Sequence, residues 1–412
     1  MYCKKTIGII LTALLIAAQS VTFAGKPDLV TLTWNDDPQT TQAVSWRTDA
    51  NTLIGFIQYY ESSDFFSSAI ATNQVPVPYN QLATNAGQFN IYSGKLSALR
   101  PNTKYYYRVG DGQDWSALSS FTTAPGSIAP FKFLLFGDSQ SVDYGIWGKT
   151  VQNAYRTYHD AAFFINVGDL IDVGDDYKQW FAWLKNAQGV INNISCMPAS
   201  GNHENYSITA KLSLPTGFHN LLALPQNGPD KLKGITYSFD YSNAHFIVLD
   251  TQYGEEANLV PNLLPLQAAW LERDLAASDK TWKIVVMHRP LYNNTRAESH
   301  PQLRTAFAAL FSKYHVDVVF NGHDHVYART FPLLDGKATD NARGTVYVNC
   351  GRSGSKKHPL GMVATSLDDS YYNPVDQPNY VEVEITDTRF ALKALKQDGA
   401  VIDTCVIQKP WR

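Results

Sequence analysis

Sulfur is scarce in this chain of 412 residues, with four cysteines and four methionines. So few cysteines exclude a disulfide-stapled scaffold and a cysteine-rich zinc module. Charge is also sparse at 17%, with 34 Lys+Arg against 37 Asp+Glu and a pI near 6.4. That balance excludes the basic surface of a nucleic-acid binder, so no nucleic-acid partner is expected. Beyond the N-terminus no apolar run approaches a bilayer span, so no membrane anchor is expected either. No internal repeat or low-complexity tract appears.

What is present reads as globular. The hydrophobic share is 44%, and the length suits two or three domains. An aromatic share of 13%, with 23 tyrosines, leans towards β-rich structure. At the start, Lys4 and Lys5 precede an apolar run over 7–18 and a small-residue exit at Thr22-Phe23-Ala24. The expectation is a signal peptide over 1–24 and a secreted or periplasmic protein. Cys3 precedes the apolar run, where it cannot act as a lipid anchor. Cys196, Cys350 and Cys405 remain after cleavage. An odd number in an oxidising compartment suggests one bridge, expected between Cys350 and Cys405, with Cys196 as a core thiol.

Over 27–123 short alternating runs are split by turn residues, as at 30–34, 43–47 and 56–60. Leu99-Arg100-Pro101-Asn102-Thr103-Lys104-Tyr105-Tyr106-Tyr107-Arg108-Val109 comes after them. Its Leu-x-Pro-x-Thr-x-Tyr-x-Tyr-x-Val spacing resembles fibronectin type III domains, in which a tyrosine near the start of a late strand ties the sandwich together. An all-β N-terminal sandwich is expected, supporting or partly walling the domain C-terminal to it. Residues 124–130 read as a linker.

From 131 to 412 the grammar changes. Continuous apolar runs at 131–136 and 161–167 read as buried strands of a sheet covered on both faces, 195–199, 284–287 and 316–320 as further strands, and 235–239 with 245–249 as antiparallel strands. Helical spacing over 144–158, 177–192, 265–277 and 301–314 alternates with them. The expectation is an α/β domain.

Five polar clusters come directly after apolar runs: Gly137-Asp138-Ser139-Gln140, Gly168-Asp169-Leu170-Ile171-Asp172, Gly201-Asn202-His203-Glu204, His288-Arg289-Pro290 and Gly322-His323-Asp324-His325. A single Gly-Asp after a strand is usually a turn. Five clusters rich in Asp, Asn and His, at strand ends that converge on one sheet edge, point to a shared site. Such a set suits two metal ions about 3.5–4 Å apart, the arrangement that supports in-line displacement at phosphorus. Two divalent ions against Asp138 and Asp169 leave about +2, a charge suited to a phosphate ester.

This ordered set resembles the calcineurin-like metallophosphoesterases. With the N-terminal sandwich and Gly322-His323-Asp324-His325-Val326-Tyr327-Ala328-Arg329, it resembles their purple acid phosphatase branch. The resemblance implies a β-sandwich core flanked by helices and a dinuclear centre attacking phosphate monoesters through a metal-bridging hydroxide. It implies that Asp138 binds the first metal, Asp169 bridges, and His325 completes the first site. Asn202, His288 and His323 would hold the second metal. His203 would face the substrate, stabilising phosphate or protonating the leaving group. His300 matches only loosely the substrate-facing histidines of that branch; its other reading is a helix-capping surface residue.

One departure concerns the first metal. Purple acid phosphatases place an iron-binding tyrosine at the last position of Gly-Asp-x-x-Tyr, where this chain has Asp172. Other branches begin with Asp-x-His, where this chain has Gln140; Asp-x-Gln resembles the manganese-dependent ADP-ribose/CDP-alcohol diphosphatases. The remaining first-site donor is therefore Gln140, Asp172 or a water. Oxygen donors without phenolate favour divalent Mn, Fe or Zn, and a colourless protein. The expected partner is a small-molecule phosphate ester. Diesters or nucleotide diphosphates are the alternative, and a binding protein with a decayed site is a further one that the full set of ligands argues against.

Overall fold

The computed structural model describes residues 25–63, 72–295, 299–340, 344–358 and 360–410. The expected signal peptide lies outside the described residues.

The N-terminal part is a sandwich of two four-stranded antiparallel sheets. One orders Asp28–Thr33, Gln42–Asp49, Gly87–Leu96 and Tyr79–Thr84; the other orders Asn73–Pro76, Phe56–Glu61, Lys104–Gly110 and Ser119–Thr122. Val44, Trp46, Ile57, Tyr92, Tyr107 and Val109 fill the space between them. Tyr105 ties the sandwich as its position suggests: its hydroxyl accepts from the Arg100 amide at 2.9 Å and donates to Glu61 Oε1 at 3.2 Å.

The second part packs a six-stranded sheet against a seven-stranded one. The first orders Ser195–Cys196, Phe163–Asn166, Phe131–Phe136, Asn379–Ile385, Arg389–Lys396 and Val401–Gln408. The second orders Tyr237–Tyr241, Ala244–Leu249, Trp282–Met287, Val318–Asn321, Val346–Cys350, Tyr327–Thr330 and Asp368–Tyr372. The apolar runs lack alternation because each strand is buried on both faces. Phe246, Ile284, Val286 and Phe320 point between the sheets, where Phe133 and Phe163 meet Phe246 edge-on at 5.3 and 5.4 Å. Their neighbours Ile247, Val285, Met287 and Val319 point outward under Trp270, Leu271 and Phe307 of the covering helices. Helices Tyr144–Thr157 and Leu263–Ala277 form close to their expected bounds. The helix expected over 177–192 stops at Asn186; the strand expected over 195–199 is regular at Ser195 and Cys196, and the Met197 and Ala199 amides still donate to Phe164 O and Asn166 O at 3.0 and 2.8 Å. Residues 301–314 are one helical run with a π turn at Arg304–Ala308.

The two parts share a core. Trp34, just past the first strand, sits among Phe163, Phe239 and Tyr241 with ring centres 5.4–5.9 Å away. Leu32 N donates to Ile191 O at 2.9 Å, and Tyr107 OH donates to Asn192 O at 2.8 Å.

The expected disulfide is absent: Cys196, Cys350 and Cys405 are all free thiols. Cys350 ends a central strand of the seven-stranded sheet, whereas Cys405 lies on the edge strand of the other sheet. Late position in the sequence carried no information about which sheet each cysteine would join.

Candidate dinuclear metal centre

In both sheets the strands leading to the five clusters run parallel, so their C-terminal ends meet at one end of the sandwich. Phe136 pairs with Asn166 in one sheet, and Val286 pairs with Phe320 in the other. Asp138 and Asp169 therefore leave the first sheet beside His288, His323 and His325 from the second.

The contacts form two donor groups with one member in common: Asp169, His288 and His323 make one, and Asp138, Asp169 and His325 the other. His288 Nε2 lies 3.3 Å from Asp169 Oδ1 and 3.1 Å from Asn202 Oδ1, which is also 3.1 Å from His323 Nδ1. On the other side His325 Nε2 lies 3.3 Å from Asp138 Oδ1. Among the described residues only Asp169 belongs to both groups, as a bridging ligand must.

Outer contacts aim these atoms. His288 Nδ1 meets Val167 O at 2.9 Å, and His325 Nδ1 meets Lys356 O at 3.3 Å, so both rings turn Nε2 inward. Asn202 donates its Nδ2 to Tyr206 OH at 2.9 Å, which turns Oδ1 inward. The Glu204 carboxylate, buried, accepts from the amides of Asp169, Leu170, Ile171 and Gly201 at 3.0, 2.8, 3.3 and 2.6 Å. It thereby fastens the Asp169 turn to the Asn202 turn.

The backbone is strained where the ligands sit. Asp138, Asp169, His323 and His325 have φ of 22°, 54°, 74° and 54°, a region costly for non-glycine residues and typical of functional sites. Two glycines give the carboxylates room: a Cβ at Gly201 would lie 2.1 Å from Asp169 Oδ1, and one at Gly322 would lie 2.5 Å from Asp138 Oδ2. Burial opposes the charge on Asp169, yet His288 and His203 hold its carboxyl well below the usual range. His288 is pushed up to about 9, against its burial, chiefly by Asp169.

The two candidates for the remaining first-site donor separate in space. Gln140 is buried, with Nε2 3.3 Å from Asp169 Oδ2 and Oε1 lacking any hydrogen-bond partner. Asp172 Oδ1 instead forms an ion pair with Lys356 Nζ. Its carbonyl receives His203 Nδ1 at 2.8 Å, leaving His203 Nε2 3.9 Å from Asp169 Oδ2, on the pocket side. His300 is not a surface residue. It is 1% exposed, makes no side-chain cap to the helix it precedes, and stacks edge-on to His323 at 5.7 Å. Its Nδ1 lies 3.4 Å from Tyr253 OH.

Sequence reasoning gave no role to Glu204, Tyr206 or Lys356. For Glu204 a signal was visible, an acid closing Gly-Asn-His-Glu; Lys356 is 184 positions from Asp172 and carried none.

Comparison with known proteins agrees with this architecture. Residues 27–123 match the N-terminal domain of purple acid phosphatases, and residues 131–327 match the calcineurin-like phosphoesterases. Purple acid phosphatase 21 of Arabidopsis thaliana is 27% identical over 320 residues, covering 76% of this chain and 69% of the relative. Acid phosphatase type 7 of Mus musculus is 24% identical over 428 residues, covering 95% and 90% respectively. The structure of a purple acid phosphatase from yellow lupin (Lupinus luteus) seeds superposes with a TM-score of 0.77 at 20% identity, covering 94% of this chain and 75% of that one. Among the described residues no helix is long and apolar enough to cross a membrane. The chain thus carries a purple acid phosphatase N-terminal domain followed by a calcineurin-like phosphoesterase domain, and it is a phosphoester hydrolase.

Proposed function

We propose that the protein is an exported phosphatase that hydrolyses small phosphate monoesters at two divalent ions. The observation that carries this reading is the pair of donor groups joined through Asp169. The residues fit such ions: inward Nε2 atoms held from behind, an inward Asn202 oxygen, and a buried Gln140 oxygen with no other partner. Asp138, Asp169, His325 and Gln140 would hold the first ion. Asp169, Asn202, His288 and His323 would hold the second. Asp172, whose charge is matched by Lys356, stays outside both sets and positions His203. Without a phenolate or a third ligand carboxylate, the set favours Mn(II), Fe(II) or Zn(II).

When bound, the ions would supply Lewis-acid activation of water and neutralise charge on phosphate oxygens. The protein's own groups do the rest. Asp169 and Asp138 offset about half of the ions' charge, leaving the remainder for the phosphate, and His300 packs edge-on against His323. The His203 Nδ1–H group donates a hydrogen bond to the Asp172 carbonyl, so Nε2 faces the pocket and, when it too carries a proton, can deliver that proton to the departing alkoxide or phenoxide.

The deciding experiment is hydrolysis of p-nitrophenyl phosphate and of its bis ester by protein loaded with Mn, Fe or Zn. Turnover of the monoester well above the diester supports this reading. The reverse preference would assign a diesterase, and no turnover with any metal would defeat the proposal.

A further inference from the structure

Behind the second-metal ligands lies a buried polar cluster that the dinuclear centre does not use. Leu249 pairs with Met287, so Asp250 emerges beside His288; Asn205 comes one short turn after Asn202. Ser200, Asn205, Asp250, Gln252 and Glu256 are each 0–1% exposed.

Contacts within the cluster account for two of its seven side-chain oxygens. Asp250 Oδ1 accepts from Gln252 N at 2.9 Å, and Glu256 Oε1 accepts from Asn205 Nδ2 at 2.8 Å. Gln252 Nε2 donates to Ser200 O at 3.2 Å. The Asp250 and Glu256 carboxyls face each other within hydrogen-bonding distance. Five oxygens are left with no hydrogen-bond partner: Asp250 Oδ2, Glu256 Oε2, Asn205 Oδ1, Gln252 Oε1 and Ser200 Oγ. The adjacent cation Arg289 spends two of its nitrogens on Glu255, at 3.1 and 3.0 Å.

Three occupants could answer these oxygens. One proton shared between Asp250 and Glu256 satisfies two of them and leaves both amide oxygens without a donor. A water supplies hydrogens but no charge, and burial pushes Asp250 up to about 6 and Glu256 up to about 9, so without a bound cation the pair retains a proton near neutral pH. A hard cation accepts all five and neutralises both carboxylates. Two carboxylates, two amide oxygens and a hydroxyl, with no nitrogen or sulfur, are the donors calcium takes.

We infer that Ser200, Asn205, Asp250, Gln252 and Glu256 form a third, structural cation site of calcium type, separate from the catalytic pair. It would brace the turn bearing Asn202 and the strand end beside His288. This inference does not rest on the hydrolytic reading.

The test is thermal unfolding of the full chain, saturated with manganese, during titration with calcium chloride. A saturable rise of roughly 4–8 °C in the midpoint is expected at high calcium. The double variant D250N/E256Q should retain two manganese ions and lose the rise, and elemental analysis of the wild type should find one calcium per chain. A wild type whose midpoint ignores calcium overturns the inference whether or not the variant folds. So does a calcium response that survives in the double variant. E256Q as stable as the wild type, with no calcium bound, would assign the shared proton instead.

Discussion

The two halves of the metal centre are built to different degrees of closure. On the second-metal side Asn202, His288 and His323 lie within 3.3 Å of one another, and each of the first two is held from behind by one protein partner. On the first-metal side His325 lies 3.3 Å from Asp138, the Gln140 oxygen has no hydrogen-bond partner, and Asp172 is paired with a lysine. The difference teaches where variation is tolerated. In the proposed centre the closed half would fix geometry, while the open half would set which ion is accepted.

The comparison breaks most completely at the residue both halves share. Asp169→Asn should lose both ions in elemental analysis and reduce turnover to background. Next, His323→Ala should lose one ion and retain the other; loss of both would show the halves to be one cooperative unit. His203→Ala should keep both ions and lower kcat by about 10²–10⁴-fold, the usual worth of a general acid; equal metal loss in both histidine variants would make His203 a ligand.

Smaller effects sharpen the open half. Gln140→Ala should weaken first-ion affinity about 10–100-fold in a competition titration, whereas Asp172→Asn should leave affinity within a few-fold and alter kcat by removing the charge 3.6 Å from His203 Nδ1. The opposite ranking would place Asp172 in the first site. The smallest effect lies far from the metals. His245, between Asp240 and Asp274 at 2.7 and 2.8 Å, is pushed up to about 9 by those carboxylates against its burial. A histidine raised above its unfolded value near 6.5 contributes fully below that pH and loses the contribution as pH rises through about 9. His245→Gln should therefore flatten the fall in unfolding midpoint between roughly pH 6.5 and 9.

How much of this the sequence carried depends on the range of each interaction. Unbroken apolar runs such as 131–136 and 284–287 announced strands covered on both faces, because that burial acts on every residue locally. The proposed ligands stood out as candidates because each follows such a run. What escaped depends on distant partners. Nothing near Asp172 announces Lys356. Nothing near His300 reveals that Tyr253 and His323 enclose it. Cys350 and Cys405 looked alike in sequence and joined different sheets.

Trp34 and its neighbours carry a consequence for how the molecule comes apart. A tryptophan from the sandwich's first strand region is seated in the catalytic core, and Leu29 belongs to that core too. Removing residues 27–123 would leave an aromatic cavity open to solvent beside Phe163, Phe239 and Tyr241 rather than a clean surface. The peptide at 124–130 is thus a seam in the chain but not in its energetics. Heating should melt both parts in a single transition, with the sandwich acting as a fold-completing piece of the enzyme.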